Sequence, residues 1–221
     1  HSTPHMLICG ATGSGKSVCI RSTIEYARLA GVDRIIILDP KYEFVGAMPD
    51  CEVITDIADI ERRMKQLVEE MQQRAKTGQS SKTLIVFDEF ADAVSSARSG
   101  KELDIKEQVL VGEYANGRPK YDIRVIGREK SLEENLKMLL QKGRSLGYRI
   151  IAATQRASTK VITGDAKVNF PVQVCFRVPK AVDSKVVLDE EGAETLAGRG
   201  DGLIKSPEYF GTVRFQGFYK P

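Results

Sequence analysis

The chain has 221 residues, is 42% hydrophobic, and sets 33 Lys and Arg against 30 Asp and Glu for a formal charge of +3. That composition fills the core of one domain and excludes a disordered chain, and so small a net charge leaves any nucleic-acid contact to local basic clusters rather than to a global field. No stretch approaches the roughly 18 apolar residues of a membrane span, no signal sequence precedes the first apolar run, and Cys9, Cys19, Cys51 and Cys175 are scattered without CxxC spacing, as core thiols of a reducing cytosol are.

Met6-Leu7-Ile8-Cys9 reads as a strand that runs directly into Gly10-Ala11-Thr12-Gly13-Ser14-Gly15-Lys16-Ser17. This fits G-x-x-x-x-G-K-[ST], in which successive backbone N–H groups curl around a β-phosphate and the next helix points its positive N-terminus at the same anion. Lys16 then reaches the β/γ-oxygens of ATP, and the Ser17 hydroxyl is placed to ligate Mg²⁺. Gly13-Ser14-Gly15 could also open G-x-G-x-x-G, but Val18 stands where the third glycine belongs, and the dinucleotide reading is dropped. The nucleotide-binding segment is thus Gly10 to Val18. Because His1 lies only a few residues before a central strand, the chain is expected to continue a longer polypeptide.

From Ser17 to Ala30 the apolar spacing is helical and Gly31 stops it. Arg34 to Leu38 is a β-branched run ending in Asp39-Pro40-Lys41, which predicts a buried parallel strand abutting the first unit. Cys51 to Thr55 suggests a short edge strand, and Ile57, Ile60, Met64, Leu67, Val68 and Met71 predict a helix over 56–76 capped by Thr55 or Asp56. Thr83-Leu84-Ile85-Val86-Phe87 then closes on Asp88-Glu89, the Walker B pattern. Carboxylates there project at the carboxyl edge of the strand, where Asp88 can hold a metal ion and Glu89 can polarise the attacking water.

Residues from about 94 to 130 lose periodicity and read as an insertion. Val109 to Tyr114 and Tyr121 to Ile126 flank Ala115-Asn116-Gly117-Arg118-Pro119-Lys120, a β-hairpin with a basic tip. Ser131-Leu132-Glu133-Glu134 is a capping box for a helix through Leu136, Leu139 and Leu140 to Arg144, ended by Gly147. Tyr148 to Ala153 is another strand, and Thr154-Gln155 at its end is suited to sensing the γ-phosphate. Val161 to Lys167 reads as a loop or short helix and Pro171 to Val178 as a strand. Two short helices follow at 181–188 and 190–196, then an antiparallel pair at 202–205 and 211–218.

The sequence resembles the FtsK/SpoIIIE family of DNA translocases. The likeness is carried by Pro4-His5-Met6-Leu7-Ile8, Ile37-Leu38-Asp39-Pro40-Lys41, Asp88-Glu89-Phe90-Ala91-Asp92, Ala153-Thr154-Gln155-Arg156, Val161-Ile162-Thr163-Gly164, Leu188-Asp189, Gly192-Ala193-Glu194 and Gly200-Asp201. It implies one α/β RecA-like P-loop motor domain over residues 1–221, with a mostly parallel central sheet flanked by helices. It further implies a homo-hexameric ring around double-stranded DNA with ATP held between subunits. Gln141-Lys142-Gly143-Arg144 matches the segment that carries the family's trans arginine finger, which nominates Arg144. The resemblance places Arg156, Lys167 and Lys185 toward the DNA, with Lys180 beside a family lysine position that is Ala181 here. A ring of cations would grip phosphates without reading sequence, as a translocating motor requires.

The expected insertion before Walker B is missing and the hairpin after it is long, which opens the cellular role to division, sporulation, phage or conjugation. The family's membrane segments, preceding domain and winged-helix domain do not lie in this stretch, so the expectation is a cytoplasmic motor, tethered to a membrane through other segments if at all. A conjugative-coupling or type VII secretion ATPase is the alternative within the same fold, and a non-hydrolysing nucleotide-dependent scaffold the alternative outside it. Glu89 argues against the scaffold, which needs no poised water.

Overall fold

The computed structural model describes residues 4–159, 162 and 164–217. In chain order these form β1 (His5–Cys9), α1 (Lys16–Leu29), β2 (Arg34–Leu38), β3 (Glu52–Ile54), α2 (Ile57–Thr77), β4 (Thr83–Phe87) and α3 (Phe90–Ser96). After them come β5 (Glu102–Glu113), β6 (Pro119–Lys130), α4 (Leu132–Lys142), β7 (Tyr148–Thr154), α5 (Gly164–Val168), β8 (Val172–Phe176), α6 (Ala181–Leu188), β9 (Asp201–Lys205) and β10 (Thr212–Gln216).

Eight strands make one sheet in the order β10-β9-β8-β1-β7-β4-β2-β3, with β8 through β3 parallel and β9 antiparallel to both of its neighbours, β8 and β10. The parallel strands are apolar almost throughout because both of their faces are covered. Leu7, Cys9, Ile36, Leu38, Ile85, Phe87, Ile150 and Ala152 face α2, α3, α4 and α6. Ile8, Ile35, Ile37, Leu84, Val86 and Ile151 face α1 and the buried Phe44 and Met48. The expectation that β2 abuts the first strand is corrected: β2 pairs with β3 and β4, and both β4 and β7 stand between it and β1. This order puts the carboxyl ends of β8, β1, β7, β4 and β2 in one row, which is the edge where an α/β sheet presents its ligand site.

Several local signals act as their residue types require. Asp56 Oδ1 accepts from Ala58 N at 2.9 Å and Asp59 N at 3.2 Å, capping α2, and Ser131 Oγ accepts from Glu134 N at 3.4 Å at the head of α4. The predicted helix to Arg144 ends at Lys142, and Arg144–Leu146 is a separate 3₁₀ turn. The helix expected over 190–196 shrinks to a 3₁₀ turn at Ala193–Thr195 after Gly192. The hairpin is longer than its central alternation suggests, with two 12-residue strands forming a sheet of their own. Its base is tied to α2 by Lys65–Glu129 at 2.9 Å, and Arg98 joins Glu61 and Glu129 at 2.8 and 2.9 Å. Leu110, Tyr121, Ile123 and Val125, paired across the two strands or adjacent along them, are exposed. Cys9 and Cys175 are buried opposite each other on β1 and β8, and all four cysteines are free thiols. Among the described residues no helix is long and apolar enough to cross a membrane.

Candidate active site

The loop after β1 is held by the strands beside it: Gly10 N donates to the Thr154 carbonyl at 3.3 Å and Ala11 N to the Arg177 carbonyl at 2.9 Å. A second segment closes over it from the far end of the chain, where Gly200 N donates to the Ser14 carbonyl at 2.8 Å. Gly15 is obligatory at this crossing. Its φ of +109° is left-handed, and a Cβ there would lie 2.5 Å from Gly200 N and 2.7 Å from Gly200 Cα, backbone atoms that cannot swing aside.

Lys16 opens α1 and is buried. Its ammonium donates to Asp88 Oδ1 and to Glu89 Oε1, each at 2.7 Å. Burial opposes its charge, but the two carboxylates outweigh burial and hold the lysine above its ordinary pKa. Asp88 shows the reverse: burial pushes its carboxyl up to about 6 even though Lys16 pulls it down. Its Oδ2 is buried with no hydrogen-bond partner among the described residues, and so is Ser14 Oγ, so the site holds polar atoms that a ligand would satisfy. Ser17 Oγ donates to Glu43 Oε2 at 2.5 Å.

Glu89 is fully buried and adopts φ 46°, ψ 40° at the head of α3, an uncommon conformation for a residue with a side chain. Its second oxygen accepts from Gln155 N at 3.0 Å and lies 3.5 Å from Lys41 Nζ, which is 3.1 Å from Asp92 Oδ2. The Gln155 side chain reaches the loop itself, accepting from Thr12 Oγ1 at 3.2 Å. Thus β7, wedged between β1 and β4, brings Gln155 between the loop and Glu89. Beside these groups lies a cavity of about 480 Å³ walled by the loop and the start of α1 on one side and by Arg199, Gly200 and Gly217 on the other.

The structure therefore brings together Gly10 through Val18, Asp88, Glu89 and Gln155. Lys16 is turned toward the two acids in this arrangement. Arg144 does not join them; it is exposed just before the amino end of β7, across the sheet from its own loop. Arg156 and Lys180 are exposed, and Lys185 is exposed while paired with Glu191 at 2.8 Å. Lys167 is half-buried, its ammonium paired with the exposed Asp189 and donating to the Val186 carbonyl. Of the segment Val161-Ile162-Thr163-Gly164, residues 161 and 163 lie outside the described ones. Sequence reasoning missed Glu43 and Arg199, and it quoted Lys41 only as part of a motif. The position of Lys41 and Glu43 just after the carboxyl end of β2 was the available signal.

The FtsK/SpoIIIE family model matches residues 1–105. The DNA translocase FtsK of Chlamydia pneumoniae is 33% identical over 227 aligned residues, which take in 98% of this chain and 28% of that protein. The chain therefore spans less than a third of the length of that relative. Among solved structures, the pCW3 conjugation coupling protein TcpA, in a monomer form with ATPgS, superposes with a TM-score of 0.75 at 26% identity, over 98% of this chain and 60% of the other. The cytoplasmic domain of the type VII secretion ATPase EccC of Thermomonospora curvata superposes with a TM-score of 0.71 at 22% identity, over 98% of this chain and 25% of the other. The fold and the loop–acid constellation are those of a RecA-like P-loop ATPase, and by sequence likeness along nearly its whole length the chain belongs to the FtsK/SpoIIIE family.

Proposed function

We propose that this chain is the ATP-hydrolysing motor of a double-stranded DNA translocase. The observation that carries the reading is the junction of Lys16, Asp88, Glu89 and Gln155 at one sheet edge, where a phosphate loop, a buried pair of acids and a polar strand end meet. ATP fits the cavity with its phosphates against the backbone N–H groups of residues 11–16, and Lys16 turns from the acids to those phosphates. The Ser17 hydroxyl and the unpartnered Asp88 oxygen suit Mg²⁺, which when bound supplies charge neutralisation to the phosphates. Glu89 is left to take a proton from the attacking water, and Gln155, in contact with both Thr12 and Glu89, is placed to register the γ-phosphate.

Arg144 belongs to a second chain's site in this reading. Five strand residues separate the two edges of β1, about 16 Å at strand rise, so a finger on the amino side serves only a neighbour. Its guanidinium would stabilise the charge of the transferring phosphoryl group and make hydrolysis depend on ring assembly. Arg156, Lys180 and Lys185 supply phosphate contacts on a surface that grips DNA without reading it.

The test is ATP turnover against protein concentration, with and without long duplex DNA, at two salt concentrations. A DNA-stimulated, cooperative rise that is strongest at low salt is expected. Mixing Lys16→Ala with Arg144→Ala chains, each inactive alone, should restore part of the turnover, because intact sites then form across mixed interfaces. Co-assembly without recovery would refute the trans role. The likeness to a coupling protein and a secretion ATPase supports a second reading, a motor for a protein or nucleoprotein cargo, and it gains if assembled protein hydrolyses ATP indifferently to DNA.

A further inference from the structure

Among the described residues the Glu89 carboxylate meets the Lys16 ammonium on one oxygen, and on the other the Gln155 N–H and the Lys41 ammonium. Lys16 cannot serve Glu89 and a triphosphate together. Once it turns away, a fully buried carboxylate on a left-handed backbone keeps, among the described residues, one N–H and one cation, that of Lys41.

Lys41 is built to hold that position. It follows Asp39-Pro40 in the turn after β2, where Asp39 Oδ2 accepts from Phe44 N at 2.8 Å and the Phe44 ring is fully buried, so the root of the side chain is fixed. Its ammonium also lies 3.1 Å from Asp92 Oδ2 in the first turn of α3, the helix that Glu89 begins. One cation thereby bridges two acids three residues apart on one helical turn and ties the β2 turn to the β4–α3 junction. After burial, which opposes the charge, the hydrogen bond to Asp92 and the field of Glu89 hold the Lys41 pKa above its usual value, so it is an ammonium at neutral pH.

We propose that Lys41, braced by Asp92, is a positioning residue for hydrolysis that holds the Glu89 carboxylate on the attacking water after Lys16 has moved to the phosphates. This rests on the hydrolytic reading above. A base misplaced by about an ångström loses on the order of 10²-fold in rate, so Lys41→Met should lower kcat by about 10- to 100-fold while KM for ATP and the affinity for a fluorescent ATP analogue stay within about twofold. Lys41→Arg, which keeps the charge with a different head group, should recover a substantial part of kcat. Asp92→Asn, which removes the brace alone, should lower kcat in the same direction by about 3- to 10-fold.

Thermal melting of each variant separates these effects from loss of fold. Unchanged kcat in Lys41→Met would overturn the proposal. So would a parallel fall in ATP affinity with ADP affinity intact, because Lys41 would then touch the γ-phosphate rather than position the base. No turnover in the unsubstituted, assembled chain would remove the hydrolytic reading and this inference together, whereas turnover that ignores Lys41 removes only the inference.

Discussion

Acidification from pH 7 to 4 should cost this domain about 3 kcal/mol through His5 alone. The imidazole opens β1 and is 2% exposed. Its pKa is lowered from 6.5 to about 4, chiefly by burial, partly offset by the Leu140 carbonyl and reinforced by the Arg149 and Arg144 guanidinium groups. A folded-state pKa below the unfolded value means that the unfolded chain binds the proton first. Stability is therefore full above pH 6.5 and falls as pH drops toward 4. The fall from 6.5 to about 4 sets a limit of about 3 kcal/mol, of which about 2 kcal/mol is already lost at pH 5. Asp88 works the other way: its folded-state pKa of about 6 lies above the unfolded 3.8, so its burial cost is relieved as pH falls through 6. The measurement must isolate His5. Urea unfolding of the parent and of His5→Leu at pH 7.5, 6, 5 and 4.5 should give curves whose difference grows to about 2–3 kcal/mol at the acid end. If the two proteins lose stability in parallel across that range, the imidazole is not desolvated as described.

Three further outcomes follow from the site and its surroundings. Lys16→Ala should reduce ATP turnover at least about 100-fold and, by stranding two buried acids, lower ligand-free stability by about 1–3 kcal/mol. Urea unfolding should show a smaller loss at pH 5.5 than at pH 8, because Asp88 then takes a proton in place of the missing ammonium. Gly200→Val puts a Cβ 2.8 Å from Gln216 Nε2 at φ +94°, on the segment that donates to the Ser14 carbonyl. It should cost about 1–3 kcal/mol in thermal or urea unfolding and raise KM for ATP by loosening the wall of the cavity. Replacing residues 101–130 with a short Gly-Ser linker should change stability by less than about 2 kcal/mol, because the pair that ties the hairpin to α2, Lys65–Glu129, and the Arg98–Glu129 pair beside it each have a solvent-exposed cation. A single cooperative urea transition at nearly the parent midpoint is the expected result.

Most of the fold was legible where the physics is local. The β-branched runs at Arg34–Leu38 and Thr83–Phe87 read as strands because burial on both faces demands continuous apolar sequence, and Gly13, Gly15, Lys16 and Ser17 named the loop because phosphate binding fixes both conformation and spacing. Strand order was not legible. Parallel strands joined by long crossovers carry no turn signal for their neighbours, which is why β2 was expected beside β1. The base of the hairpin does alternate, with Leu103 and Ile105 half-buried between exposed Glu102, Asp104 and Lys106, but the run is short and charged, and only the stretch nearer the Asn116-Gly117 turn reads as strand. Glu190 to Leu196 has helical composition, but Gly192 at φ 135° interrupts it. The contacts of Glu43 and Arg199 with the site arise from segments 26 or more residues from the residues they meet, so composition and spacing are silent about them.

The placement of β7 gives the proposed ring a physical basis for linking one site to the next. Its carboxyl end carries the Gln155 N–H that meets Glu89, and its amino end follows directly on the turn bearing Arg144. That turn is fixed to the strand, since Tyr148 N donates to the Gly143 carbonyl at 3.0 Å and the buried Tyr148 ring lies under the Arg74 guanidinium at 4.4 Å. Arg74 also donates to the carbonyls of Ser81 and Leu146, so α2, the start of β4 and the Arg144 turn are stapled at one point. Between β1 and β4 the strand is buried on both sides and cannot bend independently of the sheet. In the proposed cycle, a shift of Gln155 on loss of the γ-phosphate would be absorbed by the loop beyond Gln155 or carried by the sheet as a body, and the latter would move Arg144 with it.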